Sequence, residues 1–258
     1  MFAQERLKAI IKVVREKRRM TFAELQAVLP ASPATIRRDL AELEETGEVI
    51  RVHGGVMDTR YVKSEITFDE RMMRNVPAKR AIAALAATLI PSGASVLIDA
   101  GTTCLEAGKA LFGRKDVRII THSVTLVEAA RQGDAELLCV GGELRKISGA
   151  LTGGQALGIL STVRADFAFI GASGLDVDEG CSNTQLFEAE MTKAILSRAK
   201  RKILLADASK WERPSIIRFA EWNEIDDWIT DKPLTVKETR KLRSFGLSLH
   251  VARGWKHL

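Results

Sequence analysis

Two short stretches of this chain combine residue types that can do chemistry. Asp99-Ala100-Gly101-Thr102-Thr103 follows the apolar run Ser95–Ile98 and opens a segment of helical texture. Glycine lets a backbone approach an anion, and a helix N-terminus offers free N–H groups at the positive end of its dipole. Two hydroxyls add donors. The lysine of a nucleotide-binding loop is absent, so the arrangement suits a sugar phosphate better than ATP. The same residues would also serve as a plain strand-to-helix turn with a threonine cap. In the second stretch, Thr35-Ile36-Arg37-Arg38-Asp39, two arginines lie off the apolar stripe of a helix. Arginine can fork onto guanine edges or phosphates, and Thr35 can touch a phosphate or a thymine methyl. Asp39 would be repelled by DNA, so it is expected to orient a neighbouring arginine or to pair with the first helix. A solvated helix face would carry the same charges without any partner.

Other apolar runs end in residues of the same kind. Thr121-His122-Ser123, Gly141-Gly142-Glu143-Leu144-Arg145, Gly171-Ala172-Ser173-Gly174 and Asp207-Ala208-Ser209-Lys210 each follow one. Were these runs parallel strands, their carboxyl ends would gather cations, hydroxyls and flexible backbone at one sheet edge, where open α/β sheets bind ligands. Glu188, Glu190 and Lys193 share a helical stretch, and Glu190 and Lys193, three apart, can also pair on its surface. Asp99, Glu190 and Asp207 could act as acid or base, which keeps open a second class of function: a sugar-phosphate isomerase or deaminase with an accessory DNA-binding domain. Carboxylates at strand ends equally hold a ligand without reacting.

The elements that must position these residues fall into two textures. Leu7, Ile10, Ile11 and Val14 recur at helical spacing, and Lys17, Arg18 and Arg19 end that helix. Thr21 stands three residues before Glu24, a capping box for a short second helix closed by Pro30. Ser32 before Pro33 is an N-cap with proline at the first helical position. Ile36, Leu40 and Leu43 stripe the third helix, Gly47 stops it, and residues 48–55 read as a small β-hairpin. This is the winged form of the helix-turn-helix. Residues 57–77 show no clean period and read as a linker. From Ala78 onward, helices alternate with strands near 95–99, 117–121, 135–140, 166–170, 202–206, 226–230 and 247–251, which implies a parallel sheet covered on both faces. The expected organisation is a DNA-binding domain over 1–56, the linker, and an α/β domain over 78–258.

In these motifs the chain resembles the DeoR family of bacterial transcription regulators. Arg6, Ile10 and Val14, then residues 15–31, then Ser32, Thr35, Ile36, Arg37, Arg38, Asp39 and Leu40 follow that family's signature, and Arg51-Val52-His53-Gly54-Gly55 is similar to its wing. Arg51 and His53 suit phosphate or minor-groove contact, so the DNA-facing set is Ser32, Thr35, Arg37, Arg38, Arg51 and His53. Asp-x-Gly-Thr-Thr, Gly-Gly-x-x-Arg, Phe169-Ile170-Gly171 and Asp207-x-Ser209-Lys210 resemble the effector domain of the same family. The resemblance implies a doubly wound, mostly parallel sensor domain like ribose-phosphate isomerase. It also implies a phosphorylated sugar held by Gly101, Thr102, Thr103, Ser123, Arg145, Gly171 and Lys210, and the carboxylates Asp99, Glu190 and Asp207 complete that set. His122 stands where the family usually has Asn, and Trp211-Glu212 where it commonly has Phe-Gly.

Bulk composition is consistent with this reading but does not carry it. The net charge is +6, yet residues 1–57 hold ten basic and eight acidic residues, while 232–258 hold seven and one. The excess sits in the tail, so local pattern must identify a DNA partner. With 46% hydrophobic residues the chain is a folded globular one. No apolar run approaches a membrane span, and Glu5, Arg6 and Lys8 interrupt the place of a signal peptide. Three widely spaced cysteines fit neither a disulfide framework nor a zinc site and are expected as buried small hydrophobes in a reducing cytoplasm. The expected partners are a double-stranded operator, a sugar phosphate and further copies of the chain, with no cofactor, metal or membrane.

Overall fold

The computed structural model describes residues 3–17, 19–52, 55–58 and 67–252. The chain forms two compact units, Met1–Ile66 and Thr67–Leu258. In the first, α1 (Ala3–Lys17) leads through β1 (Arg19–Thr21) to α2 (Phe22–Val28), α3 (Pro33–Glu45), β2 (Val49–Val52) and β3 (Gly55–Asp58). The Thr21 N–H donates to the Glu24 carboxylate at 2.7 Å while the Glu24 N–H donates to Thr21 Oγ1 at 3.2 Å, which starts α2. Ser32 accepts the Thr35 N–H at 3.2 Å and starts α3. Gly47, at φ 71, turns the chain out of α3. Ile10, Val14, Leu25, Ile36, Leu40 and Leu43 bury together with Val49 and Val56. The unit is a winged helix-turn-helix whose sheet has the antiparallel order β1-β3-β2. The hairpin is the expected one; β1 is an addition, too short at three residues to show a period of two.

The second unit starts before Ala78. Residues 68–72, read from sequence as linker, form α4 (Phe68–Met72), begun by a Thr67–Glu70 capping box and anchored by the buried Phe68. The helix α5 (Val76–Thr88) holds Pro77 in its first turn, where a missing N–H costs nothing. At the other end of the span β3 runs to Asp58, and residues 59–66 lie outside the described ones. Charged residues around one anchoring phenylalanine conceal a five-residue helix from any periodicity test.

Beyond α5 come β4 (Ser95–Ile98), α6 (Thr102–Lys109), β5 (Arg118–Thr121), α7 (Val124–Ala129) and β6 (Glu136–Cys139). A hairpin of β7 (Glu143–Arg145) and β8 (Ala150–Thr152) precedes α8 (Gly154–Thr162) and β9 (Ala165–Ile170). Then follow β10 (Gly174–Asp176), β11 (Gly180–Asn183), α9 (Leu186–Ser197), β12 (Ala199–Leu205) and β13 (Ile217–Ala220). The unit ends with β14 (Asp227–Thr230), α10 (Val236–Ser244) and β15 (Ser248–Val251). Seven strands in the order β15-β14-β12-β9-β4-β5-β6 pair in parallel throughout. Successive residues face opposite cores. Leu97, Ala168, Ile170 and Leu204 pack on one side, and Val96, Ile98, Phe169, Ile203 and Leu205 on the other. Burial on both faces is why these strands read as unbroken apolar runs. The sequence reading missed β7–β8 and the antiparallel sheet β10-β11-β13, whose strands are only three or four residues long.

Strand order reverses between β4 and β9, which places a crevice at their carboxyl ends. Cys104 and Cys181 are buried as expected, but Cys139 is exposed, because β6 is an edge strand with one uncovered face. No described helix is long and apolar enough to cross a membrane.

Candidate functional site

Both arginines of α3 are exposed, while Ile36, Asp39, Leu40 and Leu43 are buried. Asp39 accepts from Arg6 Nε at 2.5 Å and from a terminal guanidinium nitrogen at 3.0 Å. A planar fork on a carboxylate fixes orientation as well as charge, so the pair ties α1 to α3 and sets the rotation of α3. Hydrogen bonding to Asp39 also pushes the Arg6 guanidinium further up from its ordinary value, which keeps it charged. Of the two roles open to Asp39 in the sequence, the structure realises pairing with the first helix. Arg37 lies over the Phe22 ring, 5.0 Å from its centroid. Ser32 and Thr35 serve the helix cap, with their hydroxyls 2.8 Å apart. Arg51 lies on β2 of the wing, and His53 is outside the described residues.

In the second unit, Gly101 and Gly171 face each other across the crevice between β4 and β9. A Cβ on Gly101 would meet Gly171 Cα at 3.9 Å and Cys104 Sγ at 3.6 Å, which are ordinary contacts, and its φ of −98° suits any residue. The fold itself therefore does not require glycine there. As N-cap of α6, Gly101 supplies no side-chain acceptor, so the first N–H groups of that helix are open to an anion. Thr102 and Thr103 begin the helix and are largely buried.

Several expected ligand contacts are engaged in the protein itself. Asp99 accepts the Ala100 N–H at 2.8 Å on one oxygen, and the Gly171 N–H at 3.4 Å on the other. His122 Nε2 stands 2.9 Å from the first of these oxygens, and its Nδ1 stands 2.9 Å from the Leu151 carbonyl. A carbonyl only accepts, so Nδ1 carries a proton, and the Ala100 N–H, shared between Asp99 and Nε2 at 3.2 Å, joins the two side chains. Asp99 thus clasps β4, β5 and β9 and turns no free oxygen into the cradle. His122, which replaces the family's Asn, belongs to this clasp and is buried. Ser123 caps α7 by accepting the Leu126 N–H at 3.2 Å. Arg145 donates to Glu188 at 2.9 Å. Glu190, two residues further along α9, is turned outward and exposed, whereas Glu188 is the carboxylate that meets Arg145.

A further group of charges lies at the carboxyl end of β12. Asp207 is buried and accepts from the Ser209 N–H at 2.9 Å and from Asn75 Nδ2 at 3.1 Å. Burial pushes the Lys210 ammonium down; Asp207 opposes that, and the nearby Arg71, Arg74 and Arg213 add to it. Burial likewise pushes Lys79 down, with Lys210 and Arg71 among its neighbours and Glu106 of α6 within electrostatic reach. Lys79 Nζ donates to the Arg71 carbonyl, while Arg71 Nε is buried without a partner. Arg71, Arg74, Lys210 and Arg213 form no ion pair among the described residues. Lys79 and Lys210 therefore share Asp207, and the three arginines lie within electrostatic reach of Lys210. Arg71, Asn75, Lys79 and Arg213 were not legible as site residues, because the first three fall in or beside the presumed linker. Among the described residues no cluster of His, Cys, Asp and Glu is arranged to hold a metal.

The departure at Trp211-Glu212 has a visible consequence. Glu212 has φ 52, the left-handed region that costs a side-chain-bearing residue about 1–2 kcal/mol. Glu212→Gly is expected to raise stability by about 0.5–1 kcal/mol once the extra freedom of glycine in the unfolded chain is deducted. Urea titration would check it.

Residues 6–59 match the DeoR-like helix-turn-helix domain, and residues 74–232 the DeoR C terminal sensor domain. The HTH-type transcriptional regulator GlpR of Haloferax volcanii is 33% identical over 96% of this chain and 98% of its own length. The HTH-type transcriptional regulator GolR of Listeria innocua is 30% identical over 98% of this chain and 100% of its own. The glycerol-3-phosphate regulon repressor of Haemophilus influenzae is 33% identical over 84% and 85%. Among solved structures, ribose 5 phosphate isomerase A from Neisseria gonorrhoeae is similar over 56% of this chain and 54% of its own, with 18% identity and a TM-score of 0.39.

Proposed function

Since the chain belongs to the DeoR family of transcriptional regulators, we propose that it represses a carbohydrate operon in the cytoplasm and leaves its operator when a phosphorylated sugar binds the second unit. The observation that carries the effector half is the group of cations at the carboxyl end of β12, on the same sheet edge as the helix N-terminus that follows β4 and has open N–H groups. A phosphate dianion loses hydration on entry, and such a group can replace it. The Arg145–Glu188 pair supplies both donors and acceptors, as sugar hydroxyls require. The ligand reading thus divides the site: phosphate on Gly101, Thr102, Thr103, Lys79 and Lys210, and hydroxyls toward Arg145 and Glu188. Asp99, His122, Ser123 and Gly171 hold the frame. Binding then shifts the population away from the DNA-competent arrangement. A single winged unit makes few base contacts, so a dimer or tetramer is expected on the operator. The relatives named as regulators match this chain nearly end to end, which favours this reading over a sugar-phosphate enzyme.

A thermal-shift screen of phosphorylated sugars is the direct test, since a ligand at 100 times its Kd adds ~2.7 kcal/mol. No shift with any of them would sink the effector half. The lysines predict its pH dependence. Their folded-state values are lowered, so they lose charge below the ordinary lysine range near ~10.4. Affinity is expected to rise as the phosphate becomes a dianion above roughly pH 6. It is then expected to fall again on the alkaline side, before exposed lysines titrate. Titrations at several pH values, followed through the fluorescence of Trp211 next to Lys210, would show it.

A further inference from the structure

The two arginines of α3 are not equivalent. At about 100° per residue, Arg38 stands roughly 160° around the helix from the buried Ile36 and from the buried Leu40. It lies on the crest of the outward face, flanked by Ala34 and Ala41 at the i−4 and i+3 positions. Two alanines beside an arginine leave room for the helix to sit deep in a groove and for the guanidinium to reach base edges. Arg37, by contrast, stands only about 60° from Leu40, on the flank toward α2. Its guanidinium lies over the half-buried Phe22 ring at 5.0 Å. A cation resting on an aromatic face loses part of its freedom before any ligand arrives. The flanks of a helix seated in the major groove face the sugar-phosphate walls, and its crest faces the bases. The Arg6–Asp39 fork, which sets the rotation of α3, sets which arginine takes which place.

We infer that Arg38 is the specificity-determining residue, forking onto a base edge in the major groove, and that Arg37, held by Phe22, binds a backbone phosphate and reads no base. The inference rests on the operator reading above and goes beyond it by dividing the labour within the motif.

The test uses the full chain and the duplex it selects from a random-sequence library, with each base pair of that duplex then changed singly. Arg38→Ala is expected to lose about ten- to a hundred-fold on the selected duplex and to become indifferent at one base pair per half-site, with little loss on unrelated DNA. Arg38→Lys should not restore the preference, because an ammonium cannot reproduce the fork. Arg37→Ala is expected to weaken selected and unrelated duplexes by the same factor. It should also reduce the slope of log affinity against log salt by about 0.9 for each phosphate no longer neutralised. Arg37→Lys should recover most of that. Phe22→Leu keeps the core packing and should show the Arg37→Ala signature in weaker form, with every base preference intact. Loss of a base preference in Arg37→Ala, or a uniform loss in Arg38→Ala, overturns the assignment while leaving operator binding standing. A wild-type chain that selects no sequence overturns the operator reading, and this assignment with it.

Discussion

Asp39→Ala is expected to lower the melting transition of the first unit by roughly 10–20 °C while leaving that of the second unit in place. Arg6 and Asp39 are both buried and joined by two hydrogen bonds. Truncating one partner leaves the other as an uncompensated charge, which is far more damaging than never having had the pair. A unit of this size has a small core and a shallow unfolding transition, so a modest free-energy loss moves its midpoint far. The double variant Arg6→Met with Asp39→Leu is expected to recover much of the midpoint, since a well-packed apolar pair can replace a buried ionic one. Its operator affinity should still fall, because the fork that fixes the rotation of α3 is gone. Calorimetry of the full chain, with DNA titration of the double variant, checks both halves. If Asp39→Ala melted like the wild type, the pair would be incidental to the fold.

Lys210→Met is expected to weaken the effector by about 1.5–3 kcal/mol, the range for a hydrogen bond to a charged group, while the free protein becomes no less stable. The two effects have one cause. Burial and the cations Arg71, Arg74 and Arg213 push the Lys210 ammonium down, with only Asp207 opposing. A lysine whose folded-state value lies below its unfolded one opposes folding at every pH where the unfolded chain holds that proton. That opposition fades only as pH rises through the lowered value and the folded chain releases it. Near neutrality the charge is therefore held against stability, and removing it with a side chain of similar length relieves the repulsion. An incoming phosphate reverses the balance and makes the same charge favourable. Denaturant unfolding of the free protein, set beside effector titration of a preformed protein–operator complex, separates the two. Lower stability with unchanged effector response would place Lys210 in the fold rather than the site.

Much of this protein was legible in its sequence because the relevant signals are local. The Thr21 and Ser32 caps, the stop at Gly47 and the stripe Ile36–Leu40–Leu43 are each written within a few neighbouring residues, and the structure realises all of them. The seven parallel strands were legible for a related reason: burial on both faces leaves an unbroken apolar run. The glycine and threonines after β4, and the arginines of α3, followed as residues at known places on those elements.

Tertiary structure decided which of them are free to act. Glu188 and Glu190 are chemically equivalent, but two residues on a helix are roughly 200° apart, and the packing of α9 turns one toward Arg145 and the other to solvent. Asp99, Ser123 and His122 have the chemistry of ligand contacts, yet the crossing of β4, β5 and β9 supplies each with an internal partner first. The cations proposed to meet the phosphate come from the α4–α5 region and the segment after β12, more than a hundred residues apart along the chain. Only crossovers of a parallel sheet bring such distant positions to one edge. A helix pattern or a cap is fixed by nearest neighbours along the chain, whereas the electrostatic field of a site is a sum over neighbours in space, which no window along a sequence contains.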